Sequence, residues 1–546
     1  MGIIKKGLQI YKKCGVRGAI ASFMQKGQIK DKDYAIWYEK HKPTREILEK
    51  QKKEQFSYDP IISIVVPVYN TPVKFLEDMI ESVRVQSYSK WELCIANANP
   101  DNAKVKNVLK KHMQQDQRIK EIEVPENLGI AQNTNAAISL ARGEYIGLLD
   151  HDDMLSPDAL YEVIKCLNEE KRPEVIYTDE DKITMDGKKH FQPNFKPEFN
   201  LDMLRSNNYI CHFFVVKRTL LDEVGGFHKE YNGAQDHDLI FRCTEKANGI
   251  VRIPKILYHW RTHQGSTSEN PESKRYAYLA GIKAVEAHLE RCGEEGTAEL
   301  TETPGFYKVR YKLREKPLVS IVVVNSEVKK ISNSVLMKLI KDYGEDKVEV
   351  CFVDSSYRSK RYEELEERGI KVQYLLDRNN NTPGKRLAWG IRKSNGLYLL
   401  LLSPYIMNVG KHYIEELISN SMRKCVGIVG GKLYYPNRTI KNTGIVLGKE
   451  GKIEYLFEHL PKACRGYMNR PSMQQNLNIV TLEGAMIKKC VWENCCQKNS
   501  SDSFLDTAIK WCSNIRNAQY LIVFDPYAEA ISCKKNERRN IVKNNQ

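Results

Sequence analysis

The sequence has no Cys-x-x-Cys pair among its 14 cysteines. Closely spaced thiols are what structural zinc sites use, so these read as scattered, reduced side chains of a cytosolic protein. No long hydrophobic run is present. The strongest apolar cluster, "LYLLLL" at 397–402, is far too short to span a bilayer, and no secretory signal opens the chain. No Gly-x-x-x-x-Gly-Lys-Ser/Thr loop occurs, which excludes the P-loop route to phosphate. No Gly-x-Gly-x-x-Gly follows the first strand, which disfavours a dinucleotide cofactor. The first 30 residues contain no acid, yet carry Lys5, Lys6, Lys12, Lys13, Arg17, Lys26 and Lys30.

What is present bounds the rest. A chain of 546 residues with 41% hydrophobic content predicts a globular protein of two to four domains. The net charge of +16 favours an anionic partner. No basic helix with interleaved aromatics supports nucleic acid, which leaves a phosphorylated small molecule or an anionic membrane surface. In the N-terminal segment (1–58), apolar residues recur at Ile3, Ile4, Leu8 and Tyr11, then at Val16, Ala19, Ile20 and Phe23. That spacing gives a basic amphipathic helix, suited either to an anionic leaflet or to the protein's own surface.

From residue 59 a regular alternation begins. "IISIVVPVYN" (61–70) reads as a buried strand that stops at Pro67. A helix follows over 73–86, then strand "WELCIA" (91–96), a helix through Met113, and a strand at Ile122–Val124. "LGIAQNTNAAISLARG" is a helix ended by Gly143, and "EYIGLLD" the next strand. Strand and helix alternating in this way mean a parallel α/β sheet, which binds ligands beyond the carboxyl ends of its strands. Tyr69, Asn70, Asn97 and Asp150 fall at such ends. Asp150, Asp152 and Asp153 then crowd three carboxylates into four residues. Ser156-Pro157-Asp158 supplies its own helix start, so the aspartates are not needed as caps. A divalent cation that holds a diphosphate would offset their repulsion.

The segments "SIVVPVYNTP", "QSYSKWELCIANANPD", "ENLGIAQNTNAAISLARGEYIGLLDHDD", "VIYTDEDKI", "GAQDHDLIFR" and "IPKILYHWRTHQGSTS" occur in this order. Together they resemble the family-2 glycosyltransferases of GT-A fold, in particular bacterial enzymes that build O-antigen, capsule and rhamnan chains. The resemblance covers roughly residues 35–295. It implies inverting transfer from a nucleotide-diphosphate sugar with Mn²⁺ or Mg²⁺. On that basis Pro67, Tyr69 and Asn70 match the loop that receives base and ribose, and Asn135 reaches the donor. Asn97 falls where the family has an aspartate facing the base, a departure, since "Asn-Ala-Asn-Pro" replaces "Asp-Asp-Gly-Ser". Asp150 would bond the ribose, Asp152 the metal, and Asp153 would support the turn. Gly225-Gly226-Phe227 matches a loop beside the sugar.

Inverting displacement also needs a general base for the acceptor hydroxyl. Asp236 of "GAQDHDLIFR" stands at that position, with the helix-dipole role of an N-terminal acid as a compatible alternative. The remaining metal ligand is expected at His259, with His263 next in line. The acids of "TDEDKI" (178–183) read as a solvated strand end without a role.

The second half looks like a repeat. "LVSIVVVNSE" echoes "IISIVVPVYN", "VEVCFVDSS" echoes "WELCIANAN", and "SNGLYLLLLSPYI" echoes "ARGEYIGLLDHDD". Asp150, Asp152 and Asp153 correspond to Ser403, Tyr405 and Ile406, and Ser532 falls at or near the histidine position. The sequence thus predicts two Rossmann-like GT-A domains in tandem: a catalytic one over 59–295, a linker at 296–315, and a degenerate one over 316–546 without transferase activity. A metal-independent transferase is the alternative for the latter. For the whole chain the expectation is a bacterial glycosyltransferase, peripheral on the cytoplasmic face of the plasma membrane, that extends a lipid-linked or polysaccharide acceptor. The other reading is a non-catalytic glycan-binding subunit of a synthesis complex.

Overall fold

The computed structural model describes residues 29, 31–263, 275–326, 329–354, 363–379, 381–448, 451–497 and 501–537. The basic amphipathic helix expected over residues 1–30 lies outside them, apart from Ile29. The described residues form two compact units, 29–200 with 207–308, and 309–537 with Leu201–Ser206. No described helix is long and apolar enough to cross a membrane.

The N-terminal unit is built on nine strands: β1 Ile62–Val68, β2 Trp91–Asn97, β3 Ile119–Glu123, β4 Tyr145–Leu148, β5 Met154–Leu155, β6 Val175–Ile183, β7 His190–Asn194, β8 Phe214–Lys217 and β9 Ile250–Arg261. Their order is β3-β2-β1-β4-β8-β6-β9-β5, with β7 beside β6. β3, β2, β1 and β4 are parallel, while β8 runs antiparallel to both neighbours. β1 and β2 are buried along their whole length, as continuous apolar runs require. Helix Val73–Arg84 adds Leu76, Met79, Ile80 and Val83 to the same core.

Three local expectations change. Strand β1 runs through Pro67 to Val68. The Val65 carbonyl points to the β4 side and Val68 to the β2 side, so Pro67 faces β4. The ladder to β4 ends at Val65, so the missing N–H forfeits no bond. The helix before β4 ends at Leu140, so Gly143 is not its cap. Gly143 is required by close approach instead: a Cβ there would lie 2.5 Å from the Ile61 carbonyl and 2.6 Å from Ser63 Oγ. The following helix starts at Ala159; Ser156 bonds the Asp158 carboxylate (2.7 Å) rather than capping it.

Gly143 belongs to a buried clasp at the amino ends of the central strands. Ser63 Oγ donates to Glu92 Oε1 at 2.6 Å, and the Gly143 N–H donates to Ser63 Oγ at 2.8 Å. Burial would raise the Glu92 pKa, but Lys120, Ser63 and the Arg142 N–H together hold it below the usual range. Gly143→Ala should therefore destabilise the protein by about 1–3 kcal/mol, as overpacking does. A denaturant midpoint unchanged from wild type would contradict this.

The C-terminal unit repeats the plan. Its main sheet runs Lys371–Leu376, Val348–Asp354, Val319–Val324, Tyr398–Leu402, Ala485–Lys488, Val426–Tyr434, Leu521–Ser532 and Ile406–Val409, the same path as in the first. The clasp recurs too. Ser320 Oγ donates to Glu349 Oε1 (2.5 Å), and the Gly396 N–H donates to Ser320 Oγ (2.7 Å). The chain is thus two α/β domains of one topology in tandem, as the internal echoes imply.

Candidate active site

The carboxyl ends of β1, β2 and β4 gather most of the residues singled out by sequence. At the β1 end Tyr69 is exposed, Asn70 adopts a left-handed φ of 51°, and Pro67 lies buried within the strand. Asn99 Nδ2 donates to Asn70 Oδ1 at 2.6 Å, which links the β1 and β2 loops. Asn97 is different from expectation. It is fully buried, donates from Nδ2 to Glu121 Oε1 (2.9 Å), and accepts the Asn99 N–H at Oδ1 (3.1 Å). Both ends of its amide are thus engaged, one by strand β3 and the other by the turn after β2. Asn135 is similarly occupied. Its Nδ2 donates to the Phe227 carbonyl (2.8 Å) and its Oδ1 accepts the Phe227 N–H (2.9 Å). It holds the Gly225-Gly226-Phe227 loop instead of reaching outward; a Cβ on Gly226 would sit 2.9 Å from Asn135 Oδ1.

The acidic turn after β4 divides its three carboxylates among three environments. Asp153 is fully buried, accepts the Arg261 N–H (2.7 Å), and receives the Tyr258 hydroxyl at 2.5 Å. Burial, followed by the charges of Asp152 and Asp150, pushes its carboxyl well above the ordinary range. It supports the turn. Asp150 is half-exposed and faces His212, with Nε2 at 3.5 Å from Oδ2. Burial would raise Asp150, but His212 outweighs it and keeps the carboxyl low. Asp152 is paired with His263 through Nε2 and Oδ2 at 2.8 Å.

The imidazole beside Asp152 is therefore the runner-up His263, while His259 lies with Asp181 and His190, whose ligand atoms come within 4.8 Å of one another. Both ring nitrogens of His259 are engaged elsewhere: Nδ1 with Asp181 Oδ1 (2.6 Å) and Nε2 with the Tyr38 hydroxyl (3.2 Å). His263, two residues past the end of β9, is the imidazole at Asp152. The acids of "TDEDKI" are not solvated either. Asp179, Glu180 and Asp181 are all buried, each with its own cation or histidine. Arg252 grips Asp179 through Nε (2.9 Å) and Nη2 (2.7 Å). Lys196 Nζ donates to Glu180 at 3.0 Å, and Asp181 joins His259, His190 (2.8 Å) and the Tyr34 hydroxyl (2.6 Å).

Asp236 lies in the first turn of helix Gln235–Lys246, where the helix dipole favours an acid. Asn208 Nδ2 donates to its Oδ2 at 2.8 Å, and the Cys211 thiol lies 3.8 Å away. Burial raises its pKa, and Asp150 adds to this, while the charge of His212 opposes. Asp150, His212 and Asp236 thus form one electrostatic unit. His212 is its centre: it stacks on Tyr258 at 4.6 Å and sits 3.4 Å from Glu180. Burial works against its charged form, yet Cys211, Asp150 and Glu180 raise its pKa well above the usual value. Sequence reasoning missed His212 because "CHFFVV" has the composition of a core strand. Asp150, Asp153 and His212 can present ligand atoms within 4.8 Å of one another.

Residues 63–225 match the glycosyl transferase family 2 model. That match lies within the N-terminal unit, save for Leu201–Ser206. An uncharacterized protein, y4gI, of Sinorhizobium fredii is 34% identical over 480 residues, which cover 86% of this chain and 52% of that protein. The O-antigen biosynthesis protein RfbC of Myxococcus xanthus is 31% identical over 436 residues, 79% of this chain and 34% of its own length. A chondroitin synthase of Pasteurella multocida is 31% identical over 212 residues, 38% of this chain and 21% of its own. The chain therefore spans about half the length of the first of these relatives and a third of the second.

Proposed function

We propose that the N-terminal unit is an inverting glycosyltransferase that moves a sugar from a nucleotide-diphosphate donor to a growing bacterial cell-surface glycan. The observation that carries this is the gathering of Asp150, Asp152 with His263, and Asp236 with His212 at the ligand-binding edge of the sheet. Tyr69 and Asn70 offer an exposed shelf for the base. In this reading Asp150 bonds the ribose. Asp236 takes the proton of the acceptor hydroxyl as its oxygen bonds the anomeric carbon and the diphosphate departs. Its raised pKa makes it a stronger base than an exposed aspartate.

The residues fit a cation. Asp152 and His263 offer a carboxylate oxygen and an imidazole nitrogen 2.8 Å apart, a donor set suited to Mn²⁺ and acceptable to Mg²⁺. When bound there, the ion neutralises the charge that develops on the departing diphosphate. The basic segment 1–30 would set the enzyme on the anionic inner leaflet, where a lipid-linked acceptor waits.

The test is turnover of nucleotide-sugars by purified protein with Mn²⁺. Product is expected with at least one donor, and chelation should abolish it. His263→Ala should raise the Mn²⁺ concentration needed for half-activity by at least about tenfold. His259→Ala should leave that concentration unchanged and lower thermal stability instead, since it breaks the buried Asp181 network. Product formed equally well in chelator would refute the cation's part. A full donor panel with no turnover would refute the transferase.

A further inference from the structure

The C-terminal unit has a cleft of its own at the corresponding edge of its sheet. It is bounded by Val324, Leu387, Tyr455 and Phe504, with Ser403 at the strand end where the first domain has Asp150. The cation ligands are gone, and lysines stand in the cleft instead. In the first domain His263 is the second residue past the last long strand; in the second domain Lys534 occupies that place after Ser532, followed by Lys535. Strand register equates His212 with Glu483. Gly147 and Leu400 occupy equivalent places beside Ile64 and Ile321, and count back along the paired strands Phe214–Lys217 and Ala485–Lys488. Glu483 is met by Lys441, which is 2% exposed and also donates to Ser532 Oγ at 3.0 Å. Lys534 faces Glu537 at 3.4 Å. The cleft thus holds three ammonium groups against two carboxylates, whereas the first domain sets Asp150, Asp152 and Asp153 beside one histidine pair. An acidic edge needs a metal to accept a phosphate. A lysine edge does not, because each ammonium donates directly to phosphate oxygens.

We propose that the C-terminal cleft binds a nucleoside diphosphate directly through Lys534 and Lys535, with Lys441 as a fixed buried charge and no metal ion. Tyr455 and Phe504 give the base an apolar and aromatic wall. The chemistry for transfer is missing, since Ser403 and Tyr405 replace Asp150 and Asp152. The domain is thereby a sensor or reservoir for the product that the first domain releases. This function depends on the transferase reading, but the binding itself does not.

The experiment titrates UDP, by calorimetry in excess EDTA, into full-length protein carrying Asp152→Asn, which disables the cation-dependent site. One UDP per chain should bind with a Kd below about 1 mM. Adding Lys534→Ala and Lys535→Ala together should weaken that affinity at least about tenfold. These side chains are at the rim, and unchanged thermal unfolding would show that the fold is intact. Absence of heat in EDTA, or binding indifferent to the two lysines, overturns the proposal. Equal affinity for inorganic pyrophosphate overturns the nucleoside part, because the apolar wall then contributes nothing. All of these outcomes are independent of whether the first domain turns over a donor.

Discussion

Asp236→Asn lowers turnover by about 10²–10⁴-fold while donor binding persists, if Asp236 is the base that accepts the acceptor's proton. The asparagine keeps the size of the side chain and can still meet Asn208, so the helix start is preserved. It cannot take up a proton. The measurement is kcat beside the donor's Kd. Loss of donor affinity with kcat unchanged would place Asp236 in binding rather than proton transfer. The pH profile adds a second readout. A base works only when deprotonated, and burial has moved the Asp236 pKa upward. Activity should therefore fall, as pH is lowered, at a higher pH than for an exposed aspartate. A limb at the ordinary aspartate pKa would show that the burial is not felt in the working enzyme.

Lys196→Met should destabilise the protein by about 3–5 kcal/mol, the cost of leaving a buried carboxylate without its cation. Lys196 is 2% exposed; its ammonium donates to Glu180 (3.0 Å), to the Ile210 carbonyl (2.7 Å), and to the His212 carbonyl. Burial alone would raise the Glu180 pKa, but Lys196 and then His212 hold it down at about 2. A depressed carboxylate stabilises the fold above its unfolded pKa, and that contribution is lost as pH falls toward 2. The wild-type protein should lose stability over this range, and Lys196→Met should lose less, having already forfeited the contribution. The expected drop in Tm at neutral pH is on the order of 10 °C. A shift of only a degree or two would mean that the carboxylate takes up a proton and the pair contributes little. Because the same ammonium fixes the loop that carries His212, activity should fall with stability.

The parallel core was legible because its strands are continuous apolar runs and its helices show a clean period, as in Ile62–Val68 and Val73–Arg84. The repeat was legible for the same reason. The acidic turn stood out because charge at the end of an apolar strand is a local signal, whereas Asp236 was singled out by the family resemblance of "GAQDHDLIFR". What escaped was set by tertiary pairing. The choice between His259 and His263 depends on where the chain carries each imidazole: His259 within β9 meets Asp181, and His263, two residues past its end, meets Asp152. Asp179, Glu180 and Asp181 read as solvated because acids in a row are usually exposed. Their partners are Lys196, Arg252 and two histidines elsewhere in the chain. Asn97 and Asn135 lie where a donor contact was expected, but their amides answer to neighbouring loops that no pattern along the chain reveals.

The duplicated serine–glutamate–glycine clasp lies at the opposite end of the strands from Asp150 and its counterpart Ser403. What anchors each half and what reacts in it are therefore separated by a strand's length. Drift could strip one copy of its reactive groups without touching the joint that keeps it folded. Substitution at one end therefore leaves the joint at the other end intact in both halves.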